Sequence, residues 1–262
     1  MRRFAVVLIL VAVSAVSLTA HDLYLVTGVR GTEDDVCARI GERFPESTNG
    51  ITADRVELFQ VRDDGGTKDL LVSAKEGTRQ FCAPLRKRPA VVELVVRPRF
   101  IKLAAKDFNA YIHGETFRDV MRLREQRNQT EAEGKELYSR YAKLIVGDAK
   151  DVTRPLDHEL EIVPEKNPSQ LKPGDTLPVR VLFRGKPLSG VRVSAVYEGA
   201  EPKGHEFPVT AETDEQGHAS LKLDRPGLWY ARLIHMIPAE NERDADWRSY
   251  FATLTFRVPK NP

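Results

Sequence analysis

Strong net charge is missing from this chain: 40 Lys and Arg against 38 Asp and Glu leave a formal +2 across 262 residues. Without a strongly basic balance, and with Arg86-Lys87-Arg88 as the one compact basic run outside the first residues, a nucleic-acid partner is excluded. Cysteine is scarce too. Only Cys37 and Cys82 occur, and their spacing has no C-x-x-C character, which argues against a redox or zinc-binding motif. No H-x-x-x-H or H-E-x-x-H run places two histidines on one helix face, so no helix-borne zinc site can be read. A G-x-S-x-G elbow, a phosphate-cradling glycine loop and a spaced carboxylate pair are all absent, so nucleophilic, phosphoryl-transfer and paired-carboxylate chemistry find no support. Beyond Leu18 there is no long apolar run.

The beginning of the chain carries the strongest signal. Arg2 and Arg3 precede an apolar stretch from Phe4 to Leu18, and the small residues Thr19 and Ala20 follow. That order is a secretory signal peptide over residues 1–20, with export to the periplasm and no membrane insertion after cleavage. An uncleaved anchor helix is the rival reading, but the stretch falls short of the roughly 20 residues that span a bilayer. Cleavage after Ala20 makes His21 the first residue. Its free α-amine and its imidazole can then chelate one metal ion. In an oxidising compartment two cysteines favour a Cys37–Cys82 disulfide over two buried thiols.

Residues 21–105 read as a β-rich domain. Leu23 to Val26, Val56 to Val61 and Ala90 to Val96 are rich in β-branched and aromatic residues, and Arg62-Asp63-Asp64-Gly65-Gly66 is a turn signal. Two adjacent aspartates without further spaced ligands are weak grounds for calcium. Residues 106–150 read as a helical hairpin. Asp107 stands at its start, Thr116 with Asp119 and Thr130 with Glu133 have capping-box spacing, and Leu137, Tyr138, Tyr141, Ala142 and Ile145 recur at three and four residues. Residues 151–262 return to strands separated by turns such as Thr213-Asp214-Glu215-Gln216-Gly217, which predicts an immunoglobulin-like β-sandwich. The fold class is therefore mostly β.

Six histidines are present. His235 is the expected partner of His21, because strand alternation puts it with Trp229, Ala231 and Leu233 at the end of an apolar strand. The plainer alternative for His235 is a core-edge histidine bonded to a loop carbonyl. His205 and His218 lie in polar turns and read as exposed; His113 and His158 read as ordinary surface or interface residues. Tyr138, Arg140, Tyr141 and Lys143 fit a ligand groove on paper, although a packed face with snorkelling cations explains them as well.

The opening His21-Asp22-Leu23-Tyr24-Leu25, together with Tyr138-Ser139-Arg140-Tyr141-Ala142-Lys143, Gly185-Lys186-Pro187-Leu188-Ser189-Gly190 and the tail from His235-Met236 through Asp246-Trp247-Arg248-Ser249-Tyr250 to Phe256, resembles the bacterial domain-of-unknown-function family 4198. Relatives open with His-Asp-Phe-Trp or His-Asp-Leu-Trp, and Tyr24 replaces the tryptophan here. The family has also carried the label of a nickel-uptake substrate-specific region. The resemblance thus implies a periplasmic protein that binds or delivers nickel, copper or cobalt through His21 and acts with an envelope transporter or another envelope protein. Two rivals stand beside it: a non-catalytic envelope interaction module without metal, and a copper oxidase with a histidine brace.

Overall fold

The computed structural model describes residues 21–27, 34–86, 88–202, 204–240 and 243–260. The expected leader, 1–20, and Lys87 of the basic run lie outside the described residues. In chain order the strands are β1 (Asp22–Thr27), β2 (Asp35–Gly41), β3 (Val56–Asp63), β4 (Gly66–Asp69), β5 (Lys75–Gly77), β6 (Gln80–Pro84) and β7 (Ala90–Leu103). Helices α1 (Ala105–Gly114) and α2 (Arg118–Gln126) follow. The chain returns to strands with β8 (Gly134–Val146), β9 (Leu160–Pro164), β10 (Thr176–Phe183), β11 (Lys186–Pro187) and β12 (Arg192–Tyr197). It finishes with β13 (Val209–Glu212), β14 (His218–Lys222), β15 (Gly227–Pro238) and β16 (Trp247–Val258).

The protein is mostly β, and one sheet of order β13-β12-β15-β16-β8-β7-β3-β4 runs through it. Its β8–β16 pair is parallel, and this pair joins the two strand-rich regions into one hydrogen-bonded surface. Strands β9, β10, β11 and β14 form a second sheet. It closes a β-sandwich over one face of the large sheet, with Leu177, Val179 and Val181 packed against Trp229, Ala231 and Leu233. On the other side, β1, β2, β6 and β5 form a third sheet, whose Leu23, Leu25 and Phe81 meet Phe59, Val92 and Leu94. Helix α1 packs Phe108 and Ile112 on Trp247 and Ile234 at one end. Each fully buried Val, Leu or Phe in these layers stabilises by roughly 1.5–3 kcal/mol relative to exposure.

The helical expectation for 106–150 holds only through Gln126. Leu137, Tyr138, Tyr141, Ala142 and Ile145 belong to strand β8, in the middle of the large sheet. Both faces of β8 are covered, and Tyr141, Ala142, Lys143, Leu144 and Ile145 are buried in succession. Doubly covered strands lose clean alternation, so a three- and four-residue recurrence arises without a helix. Thr130 and Glu133 sit in the turn before β8, and α2 starts after Phe117 with no side-chain cap.

Cys37 and Cys82 are directly paired residues of β2 and β6. Their sulfurs are bonded, with Cα atoms 4.1 Å apart.

Candidate functional site

Alternation along β1 sends Leu23 and Leu25 into one core and Tyr24 and Val26 into another, beside Phe44 and Tyr230. Asp22 shares the Tyr24 face and is buried. A carboxylate removed from water needs strong partners. Asp22 accepts hydrogen bonds from Arg232 Nε, 2.8 Å and 3.0 Å from its two oxygens, and from the Tyr230 hydroxyl at 3.0 Å. The remaining Arg232 nitrogens donate to both oxygens of Glu115, at 2.9 and 3.2 Å. His205 Nδ1 lies 3.0 Å from Glu115 Oε1, and Arg192 donates to the Gly114 carbonyl at 2.7 Å. Gly114 has a steric reason: a Cβ there would lie 2.2 Å from the His205 ring. The Arg232 guanidinium also lies 4.8 Å from the centre of the Phe207 ring.

The two carboxylates around Arg232 titrate in opposite directions. Burial pushes Glu115 up, but the Arg232 charge and the hydrogen bonds from His205 and Arg232 outweigh it and hold Glu115 at about 2. Burial dominates at Asp22 and raises it despite Arg232, with the Glu115 charge adding to the rise. Nearby, Glu136 accepts from the Ser249 hydroxyl and lies 3.5 Å from the Tyr111 hydroxyl. Burial raises Glu136 to about 7 against the Ser249 hydrogen bond and the Arg140 charge. Arg140 itself lies 4.8 Å and 5.4 Å from the ring centres of Tyr138 and Phe251.

A raised carboxyl makes stability fall with pH. The unfolded chain releases the Glu136 proton first, so this group favours folding at low pH and loses that contribution as pH climbs through about 7. Glu136→Gln keeps a neutral side chain throughout. Urea titrations should show the difference between variant and unaltered protein growing by up to about 3 kcal/mol from pH 4 to pH 8. A pH-independent difference would exclude Glu136 as the titrating group.

His21 stands one residue before the anchored Asp22. Asp22 pairs with Gly41, which brings Glu42 opposite His21. The His21 Nε2 atom lies 3.6 Å from Glu42 Oε1, with 36% of the histidine side chain exposed. His235 faces the other way. It joins the sandwich side of β15 with Phe183 at 4.8 Å between ring centres, and burial plus the Arg184 charge lower its imidazole to about 4. Asp22 contacts the opposite face of β15, at Arg232, so the large sheet separates the His21 region from His235. The expected pairing is not brought together.

Two other histidines differ from their expected surface roles. His158 is buried, with Nε2 2.8 Å from Glu93 Oε2, and it stacks on Tyr141. His205 is partly buried against Glu115. His113 is exposed, and His218 Nδ1 lies 3.0 Å from Glu165. Tyr138 and Arg140 point to the Glu136 side of β8, whereas Tyr141 donates to Glu159 and Lys143 to Glu161 on the other side. The four line no common groove. Asp63 is taken up by its own turn, accepting from Gly65 N–H at 2.7 Å and from Lys68. Among the described residues, no three His, Cys, Asp or Glu side chains group to hold a metal, and no helix is long and apolar enough to cross a membrane.

No curated protein matches the chain. Among solved structures, the D0-D1 domain of intimin is similar at 12% identity over 90% of this chain and 97% of that one, with a TM-score of 0.21. A family model described as a domain of unknown function, DUF4198, matches residues 18–237. With the His21-Asp22 opening, the Arg232 strand and the helices between them all inside that match, the protein belongs to the DUF4198 family.

Proposed function

We propose that the exported, processed protein binds a late transition metal through an amino-terminal His21. One observation supports this most: Asp22 is fixed by Arg232 and Tyr230 while the adjoining His21 stays at the surface beside Glu42. The Glu42 carboxylate favours the proton on Nε2, which frees Nδ1 to close a six-membered chelate with the α-amine. Amine and imidazole nitrogens suit copper(II) or nickel(II), with cobalt(II) binding less tightly. Solvent completes the coordination, Glu42 stays an outer partner on Nε2, and His235 takes no part. The Cys37–Cys82 bond fits an oxidising compartment such as the periplasm. Delivery to an envelope transporter or another envelope protein is the role that such an exposed, two-nitrogen site serves.

The test needs protein secreted with its native amino terminus. Calorimetry with copper(II) and nickel(II) should give one equivalent bound, with affinity falling on acidification as amine and imidazole take up protons. His21→Ala should abolish that stoichiometric binding with circular dichroism unchanged. One extra residue ahead of His21 should do the same, and Glu42→Gln should weaken affinity roughly tenfold or more. Equal binding by His21→Ala and unaltered protein would end the metal reading in favour of an interaction module.

A further inference from the structure

Strand β15 pairs with β16 over its whole length, but with β12 only from Trp229 to Arg232. Beyond Arg232 the ladder between β12 and β15 ends, while β12 and the chain before it stay paired with β13 and the residue that follows it. There Thr213 and Val191 exchange hydrogen bonds, and Gly190 donates to the Thr213 carbonyl. Direction along β15 can be followed from two bonds. The Leu228 carbonyl accepts from Glu198 N–H on the β12 side, and Ala239 N–H donates to Asp246 on the β16 side. Even-numbered residues therefore direct their main-chain groups toward β12. Ile234 and Met236 do so past the end of that ladder, and neither is paired with a residue of β12.

Ile234 and Met236, with His235 between them, line a cleft of about 250 Å³. The α1–α2 connection forms one wall, and residues 189–192 with Glu212 form the other. That volume is below the roughly 300–1,000 Å³ of ordinary small-molecule pockets, yet it leaves the strand edge open. An edge this short, walled on both sides, resists pairing with a second broad sheet but admits one extended chain. The walls are also charged unequally: Arg118 lines one and Glu212 the other, both exposed and without an ion-pair partner among the described residues. Arg192, deeper in, is already engaged by Gly114 and Glu115.

We infer that the open edge of β15 at Ile234–Met236 takes up a short extended peptide segment of a partner protein, which adds as a strand where the ladder with β12 ends and places an acidic side chain toward Arg118 and a basic one toward Glu212. Main-chain pairing makes recognition tolerant of sequence, and the charge pair sets direction. This surface lies apart from His21 and does not depend on metal.

The probes are Ac-Lys-Val-Thr-Val-Glu-NH2 and the charge-reversed Ac-Glu-Val-Thr-Val-Lys-NH2, added at millimolar concentration to the isotopically labelled mature protein. Amide exchange by NMR should show Ile234 and Met236 fast and Leu233 and His235 slow in the free protein. One of the two peptides should protect the fast pair, and N-methylation of its central residues should weaken binding about tenfold per hydrogen bond pair removed. The double variant Arg118→Glu, Glu212→Lys, which leaves buried residues alone, should reverse the preference between the two peptides. Failure of both peptides to protect Ile234 and Met236 overturns the inference, as does equal binding of the N-methylated form. Equivalent protection by N-acetylglutamate alone would make this an anion site instead. Protection that grows with protein concentration in the absence of peptide would identify the occupant as a second copy of the chain.

Discussion

Arg232→Met is expected to lower the free energy of unfolding at pH 7 by about 3–5 kcal/mol, the range found when one partner of a buried ion pair is removed. The reason is the number of groups the arginine serves. It holds Asp22 through Nε and Glu115 through both terminal nitrogens, and all three side chains are buried. Methionine fills much of the volume but leaves buried Asp22 without its cation and Glu115 with only Arg192 and His205. Arg232→Lys keeps the charge and loses the fork that reaches both carboxyls, so its cost should be substantial but smaller. Neutralising the whole set, with Asp22→Asn and Glu115→Gln added to Arg232→Met, should recover a large part of the loss, because buried ion groups contribute less than their removal one at a time suggests. Urea unfolding of the single and triple variants measures this; a triple variant no more stable than Arg232→Met would show that packing, not charge, is what the arginine supplies.

The same set gives acid sensitivity with a defined sign. Glu115 is held at about 2, below its ordinary value of 4.5. Its contribution is complete above the unfolded value and is lost as pH falls from there through about 2. Glu136, raised to about 7, acts oppositely. Stability should therefore peak between these two limits.

How much of this was legible in the sequence follows from what kind of signal each part leaves. Strands β1, β3, β7, β10, β12 and β15 announce themselves as β-branched and aromatic runs, and the sandwich follows from their spacing. Strand β8 does not, because burial on both faces removes the alternation that would identify it. The site was half visible. The His21-Asp22 opening marks the segment that meets the buried cluster, but a reading of its histidine as a metal ligand passes over the carboxylate next door. A usable signal was present in Arg232, a lone cation inside the apolar run from Leu228 to Ile234. Glu93 inside Ala90–Val96 and Lys143 inside Tyr141–Ile145 carry the same mark, and each proves to be paired, with His158 and Glu161 respectively. A charge in the middle of an apolar strand implies a buried partner. Which partner it is depends on long-range topology, and residues 115 and 232 meet only because α1 folds back on β15.

Removing the disulfide should cost nearly as much as removing Arg232, and it should act through the same anchored strand. Cys37 and Cys82 are 45 residues apart in sequence, and closing a loop of that size stabilises by about 4 kcal/mol in the chain-entropy model. The bond ties β2 to β6, and β1 is hydrogen-bonded into the protein through β2 alone in its own sheet. A looser β2 therefore loosens the segment that carries His21 and Glu42. Cys37→Ala with Cys82→Ala should lower the unfolding free energy by about 4 kcal/mol, and its denaturation curve should be unaffected by reductant. The unaltered protein in reductant should shift to the same midpoint once thiol titration shows both cysteines free. If full reduction leaves that midpoint in place, the cross-link adds nothing that the β2–β6 ladder does not already supply. If the midpoint moves but copper binding at His21 is unchanged, the amino-terminal strand is held by Arg232 and not by its own sheet, which makes the ion cluster the true foundation of the proposed site.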